Sequence, residues 1–329
     1  MKKTHKRGLV LLLVISLLAI GLAGCASKTD TGEKAPAQTK FINIATGGTA
    51  GTYYPLGGAM AEILKQSIPG VNATAEATGA SAANINMLNG GSVDIAFVQN
   101  DVSYYAVTGT ELFKDNKIEG LKAISTIYPE TCQIVTLKKS GIKSVADFKG
   151  KRIAVGAAGS GVEANTRQIL AANGLTYDDI KPQYLSFAEA ANGLKDGNTD
   201  AAFVTAGFPT AAIQDIAAQH EIVMIPVSDE IADKLVAQYP YYTKVKIPAG
   251  TYAGQTEDVQ ALAVKAMLVV TDKMDEETAY QITKAIYTNL DKLVAAHSVG
   301  KLITIESATD GVSIPMHPGA KKFFDEQKK

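Results

Sequence analysis

SVDIAFVQND (residues 92–101) and NTDAAFVTAG (residues 198–207) are two copies of one short pattern: an aspartate, then an apolar run, then small polar residues. A second pair precedes them, ATGGTAG (45–51) and VGAAGSG (155–161). Asp94 to Asp200 is a step of 106 residues and Gly51 to Gly161 a step of 110, so the pairs keep nearly the same register. The grammar between them also repeats. FINIATG (41–47) alternates like a strand, and after the glycine-rich break Leu56, Met60, Ile63, Leu64 and Ser67 fall at helical spacing, with Pro55 suited to the first turn. VNATAEA (71–77) reads as a strand. Ser81 is placed to cap a helix carrying Ile85 and Leu88, Gly90-Gly91 ends it, and IAFVQ (95–99) is a buried strand. From residue 151 the order returns. KRIAVG leads through AAGSG into a helix containing Ile169 and Leu170, closed by Asn173-Gly174; Ser186 caps the next helix and Gly197 ends it before AAFV. Two βαβ segments predict an α/β protein of two lobes, with a ligand cleft beyond the carboxyl ends of the strands.

The chain has 329 residues, enough for about two domains at roughly 150 residues each. Hydrophobic residues make up 46% and charged residues 20%, which excludes a disordered or fibrous chain. The net charge is -1, and Lys2, Lys3, Lys6 and Arg7 account for four of the 32 basic residues. Without the first 24 residues, 28 basic residues face 33 acidic ones, and a net charge of -5 leaves no footprint for nucleic acid. Two cysteines and four histidines supply neither a disulfide framework nor a zinc site, and no metal or cofactor is expected.

Residues 1–24 have the layout of an export signal: a basic start, then a short apolar run from Leu9 to Ile20. The run ends Leu22-Ala23-Gly24-Cys25, which resembles a bacterial lipobox and implies lipidation of Cys25 and tethering outside the cytoplasmic membrane. Residues 25–40 read as the lipidated cysteine and a flexible tether. The expected layout is then 41–130 plus 250–329 for lobe one and 131–249 for lobe two. Cys132, in the apolar run CQIVTL, reads as a core residue. No nucleophile–base pairing is evident, and a non-enzyme is expected.

Both glycine-rich loops lie between a strand and a helix start, where backbone amides favour an anion. Neither contains Lys or Arg, and neither fits a nucleotide-binding signature. Candidate ligand contacts from the first loop are Thr49, Gly51, Thr52, Tyr53 and Tyr54, with one of the two tyrosines expected to pack in the core instead. Ser160 and Gly161 come from the second loop. Ser81 and Asn84 lie at the start of a helix, where Asn84 is either a contact or a solvated residue. Gln99, Thr205 and Gly207 lie at or just beyond strand ends. Glu130, after Ile127-Tyr128-Pro129, stands where the chain crosses between lobes and could meet a ligand ammonium.

ATGGTAGTYYPLGGAMAEIL, GSVDIAFVQND, IYPE (127–130), DFKGKRIAVGAAGSGVEAN, DAAFVTAGFPTAAI, IPAGTYAGQTEDV (247–259) and MHPGA (316–320) occur in this order. Together, over about 41–325, they resemble the TAXI family of solute receptors for TRAP (tripartite ATP-independent periplasmic) transporters. The resemblance implies a type II periplasmic-binding-protein fold closing on a small carboxylate such as glutamate, glutamine or 2-oxoglutarate. The implied partners are that ligand and a TRAP membrane permease, for a monomeric receptor held to the membrane by its lipid. A ligand sensor signalling through another membrane partner, or an enzyme on the same fold, are the rival readings. Where the family often has His after the YPE block this chain has Gln133, and His317-Pro318 reads as a turn and helix start.

Overall fold

The computed structural model describes residues 39–328. The signal sequence, Cys25 and the tether up to residue 38 lie outside the described residues.

The repeat read in the sequence becomes two copies of one topology. In the first, β1 (Lys40–Ala45), β2 (Val71–Glu76) and β3 (Ile95–Gln99) are parallel, with β1 in the middle. They are joined through α1 (Tyr53–Ser67) and α2 (Ser81–Asn89), and α3 (Asn100–Thr108) follows β3. In the second, β5 (Arg152–Ala154), β6 (Lys181–Gln183) and β7 (Ala201–Ala206) are parallel with β5 in the middle. Here α4 (Gly161–Ala172) and α5 (Phe187–Lys195) are the connections, and α6 (Ala211–Gln219) follows. The matched aspartates do the same work in each copy. Asp94 Oδ2 accepts from Asn43 N at 2.8 Å, and Asp200 Oδ2 accepts from Arg152 N at 2.7 Å, each tying the start of one strand to its neighbour.

Two long strands run through both copies. β4 (Leu121–Leu137) and β10 (Val259–Thr271) are antiparallel neighbours at the centre of a continuous sheet ordered β2-β1-β3-β10-β4-β7-β5-β6. The order is nearly palindromic: each three-stranded unit meets one long strand through its third member. β8 (Ile222–Met224) pairs with the end of β4, α7 (Asp229–Gln238) follows it, and β9 (Thr243–Ile247) pairs with the start of β10. The chain closes with α8 (Glu276–Tyr287), α9 (Leu290–Ala296) and α10 (Pro318–Gln327).

Helices cover both faces of the sheet, as parallel strands buried on both sides require. One core of the first half gathers Ile42, Leu56, Ile63, Ile282 and Phe323; the other gathers Ile85, Val98, Val102 and Tyr105. The second half has the corresponding pair around Phe148, Ile153 and Phe203, and around Val204, Ile213 and Tyr252. Leu56, Met60, Ile63 and Leu64 are the buried stripe of α1, as their spacing implies.

Two local expectations change. The chain does not return to the first half at about residue 250, because Val259–Ala263 pairs with β9 and Leu262 and Val264 pack in the second half's core. On this pairing the crossing point of β10 lies near residue 264, opposite Glu130 of β4. Ser81 does not cap α2: it is the first helical residue, and its hydroxyl accepts from Gln99 N at 3.1 Å. The cap position falls to Ala80, at φ 68° and ψ -148°, a conformation essentially confined to glycine. Such strain costs on the order of 1–3 kcal/mol, part of which the extra freedom of glycine in the unfolded chain would offset. Ala80→Gly should therefore stabilise the protein by about 1 kcal/mol in denaturant unfolding. A loss of stability would mean that the backbone at residue 80 is relaxed. His317 and Pro318 are the cap and first residue of α10, with His317 Nδ1 accepting from Gly319 N.

Candidate functional site

A cleft of about 570 Å³, including its open mouth, lies between the halves at the carboxyl ends of their strands. Four helices start beside it, since Thr52 precedes α1, Ala80 precedes α2, Ser160 precedes α4 and Ser186 precedes α5. Each brings backbone amides without helical partners and the positive end of a helix dipole. The sequence folds this way because each parallel strand must hand over to a helix through a short turn at the same edge of the sheet. Glycine is needed where the two loops come close. A Cβ on Gly51 would lie 3.2 Å from the Phe187 ring, and one on Gly161 would lie 1.4 Å from Gln99 Oε1.

The halves also touch directly across the cleft. Ala82 N donates to Gly159 O at 3.0 Å, Ala212 N donates to Ala50 O at 3.2 Å, and Thr52 Oγ1 donates to Gly207 O at 3.2 Å. These contacts hold the two halves together beside the cleft.

Nine of the residues singled out from the sequence line this cleft: Gly51, Thr52, Tyr53, Ser81, Gln99, Glu130, Ser160, Gly161 and Thr205. Four do not. Thr49 is exposed, and Tyr54 is 38% exposed. Asn84 is fully buried and turned inward, its Nδ2 donating to Thr46 O at 2.6 Å and to Phe97 O at 2.7 Å. It ties the first loop to β3, so neither of the roles open to it in the sequence is the observed one. Gly207 packs against Val299 and Tyr128 and takes part through its carbonyl oxygen. The cleft also contains Gly47, Gly48, Thr78, Gly79, Ala80, Ala157, Ser186 and Phe187. Ser186 was legible as a helix cap; its place opposite Gly48 follows only from the closed arrangement.

Among the described residues lining the cleft there is no Lys, Arg or His, and Glu130 is the one carboxylate. It is buried on β4 at the crossing between halves. Its Oε2 accepts from Tyr53 OH at 2.8 Å and its Oε1 from Tyr128 OH at 3.3 Å. Burial pushes its pKa up to about 8; the two phenols pull it down and Asp101 pushes it up, without reversing the direction. Tyr53 is thus both the buried member of its pair, 5.0 Å from the Phe97 ring, and a wall of the cleft. Cys132 is buried beside Thr205 and its thiol is pushed up to about 12 by burial, which leaves it un-ionised and unreactive at neutral pH. Gln133 lies behind the cleft, where its Nε2 donates to Thr210 Oγ1 and its Oε1 accepts from Tyr252 OH. Among the described residues, no group of three or more His, Cys, Asp or Glu could hold a metal.

Two α/β halves joined by two continuous strands, with helix starts converging on the cleft between them, define the two-lobed periplasmic-binding-protein fold. The chain belongs to the NMT1-like family, whose model matches residues 44–327. Two solved structures share the fold at low identity. PhnD1 of Prochlorococcus marinus in complex with methylphosphonate is 10% identical, with a TM-score of 0.53 over 81% of this chain and 89% of that one. A protein of Bordetella bronchiseptica RB50 is 16% identical, with a TM-score of 0.56 over 88% of this chain and 98% of the other. The periplasmic aliphatic sulphonate binding protein SsuA of Escherichia coli is 18% identical, with a TM-score of 0.49 over 87% and 83%.

Proposed function

We propose that the protein is an extracytoplasmic solute receptor of the TAXI type, a non-enzyme that captures a small carboxylate of the glutamate, glutamine or 2-oxoglutarate kind and hands it to a TRAP permease. The observation that carries this reading is the cleft: helix starts from both halves point into it, and no fixed cation lines it. Amides and hydroxyls then hold a carboxylate without a salt bridge, as helix N-termini do for anions. Family membership and fold support a receptor of this general kind. The seven ordered sequence blocks support the TAXI and TRAP assignment.

The test is a thermal-shift and calorimetry panel of L-glutamate, L-glutamine, 2-oxoglutarate, methylphosphonate and an alkanesulfonate. At 100 times its dissociation constant, a ligand specific for the folded state should add about 2.7 kcal/mol of stability. Small-angle scattering should show compaction on binding, as hinged lobes close. A panel in which only the phosphonate or sulfonate binds would remove the carboxylate reading and keep the receptor. Uptake that survives collapse of the ion gradient but fails without ATP would assign it to another importer.

The tether is part of the same reading. Cys25→Ser should release the protein from the membrane fraction and abolish lipid labelling. Unchanged partitioning together with unchanged labelling would sink the anchor.

A further inference from the structure

Glu130 has hydrogen-bond donors around it but no counter-ion. Tyr53 of α1 and Tyr128 of β4 donate their phenols to it, and the Gln99 side chain at the end of β3 also faces it. β10 sets Val264 opposite Glu130, while the next residue, Lys265, turns to the other face of the sheet with its side chain against Gly311. From the second half, Gly161, Val162, Thr205 and Ala206 complete this part of the cleft. Two more ionisable groups stand close, Cys132 and Asp101, and neither can carry a positive charge. Asp101 is fully buried off the cleft wall, where its Oδ2 accepts from Asn165 Nδ2 at 2.9 Å; the same Nδ2 donates to Tyr242 OH at 2.9 Å.

A carboxyl in such a place ionises without a neutralising partner. Burial strips its water, and its pKa rises to about 8 although the phenols favour the anion. A ligand carboxylate entering the same cleft meets the same shortage of cations. Backbone amides at the helix starts can hold a carboxylate. A further negative charge on the ligand repels an ionised Glu130 across a space that little water screens. Glu130 is the one carboxyl lining the cleft, so a proton taken up there removes the repulsion. A phenol can accept as well as donate, so Tyr53 and Tyr128 can serve the protonated form too.

We propose that Glu130 selects the ligand by charge: while ionised it admits a zwitterion such as L-glutamine and rejects the isostere with one more carboxylate, L-glutamate, which enters only when Glu130 is protonated. This rests on the receptor reading and deepens it. The carboxylates named there divide by net charge, and an anionic one is captured together with a proton.

The experiment is calorimetry with L-glutamine, L-glutamate and 2-oxoglutarate at pH 6.5 and pH 8.5, in buffers of differing ionisation enthalpy, on the wild type, Glu130→Gln and Asp101→Asn. At pH 6.5 Glu130 already holds its proton, and binding should exchange almost none. At pH 8.5 roughly three quarters of the free cleft is ionised, so the glutamine-to-glutamate affinity ratio should rise about fourfold. Glutamate and 2-oxoglutarate should then each take up ~0.8 proton, and glutamine none. Glu130→Gln should keep one ratio at both pH values and take up no proton. Asp101→Asn should retain the change in ratio, since Asp101 lies off the cleft wall. A wild-type ratio that ignores pH, or an anionic ligand bound at pH 8.5 without proton uptake, would overturn the proposal. So would a pH-dependent ratio that survives in Glu130→Gln. If glutamine alone binds the wild type, Glu130→Gln should admit glutamate, and its failure to do so would also overturn the proposal. Binding of none of the three would instead remove the carboxylate reading on which this one stands. The proton count on the wild type decides the matter if Glu130→Gln does not fold.

Discussion

Gly161→Ala should cost the protein one to two orders of magnitude in ligand affinity and also lower its stability. The added methyl would occupy a point 1.4 Å from Gln99 Oε1 and 2.4 Å from its Cδ, with Val102 Cγ2 at 2.9 Å. Gln99 must leave, and its hydrogen bond to Asn165 goes with it. An orphaned buried amide group costs about 1–3 kcal/mol, and a displaced carboxamide inside the cleft obstructs the ligand besides. The sign makes the test sharp. Gly161 begins α4 without a positive φ, and at such a position alanine ordinarily improves a helix by up to about 1 kcal/mol. Denaturant unfolding that shows Gly161→Ala as stable as the wild type, with unchanged calorimetry, would mean that the cleft does not close as described. Adding Gln99→Ala to Gly161→Ala should recover the stability and leave the affinity low.

The second large effect is on pH. Glu130 has its folded pKa raised to about 8, and Asp101 to about 7, above their ordinary carboxylate values. Between the unfolded and folded values the native state holds the proton more tightly than the unfolded chain. The stabilising contribution is therefore complete below about pH 4 and is lost as pH rises through 7 to 8. Each pKa unit of difference is worth about 1.4 kcal/mol, so a loss of a few kcal/mol between pH 5 and pH 8.5 is expected. The ionisable groups facing Glu130 are Tyr53, Tyr128, Asp101 and Cys132, all of which stay neutral or add negative charge. Glu130→Gln keeps an acceptor for one phenol and removes the titration. It should match the wild type near pH 5 and exceed it by about 2 kcal/mol at pH 8.5. Parallel pH profiles for the two proteins would show that Glu130 ionises without penalty.

Reading the chain as a repeat was enough to find β1, β2, β3, β5 and β7, but it gave no order for the sheet. The glycine-rich loops and paired aspartates mark each copy locally, and Ser160 and Ser186 cap the two connecting helices of the second copy. The return to the first half was not legible, because VQALAVKAMLVV is a largely apolar run, interrupted only by Gln260 and Lys265, whose two ends serve different cores. Nothing in such a run signals where its neighbours change. Residues at the helix starts were found because small and polar side chains stand out there. Asn84 stood out for the same reason and points the other way, toward β3. The Asp101–Asn165–Tyr242 chain links residues 64 and 77 positions apart, and each alone reads as an ordinary helix or loop residue. Phe187 was missed because an aromatic at the start of a helix suggests core, whereas here Gly51 across the cleft leaves room for its ring.

The two long central strands have a consequence for how the chain acquires its shape during synthesis. The second half is built from one uninterrupted stretch, from the latter part of β4 to the start of β10. The first half is discontinuous, for β10 inserts between β3 and β4, and α8 and α10 complete its core. A nascent chain emerging from its amino end thus exposes β3 along one edge until about residue 270 has been made. The half that begins first must finish last, and through that interval the unpaired flank of β3 is the segment most in need of shielding from other chains.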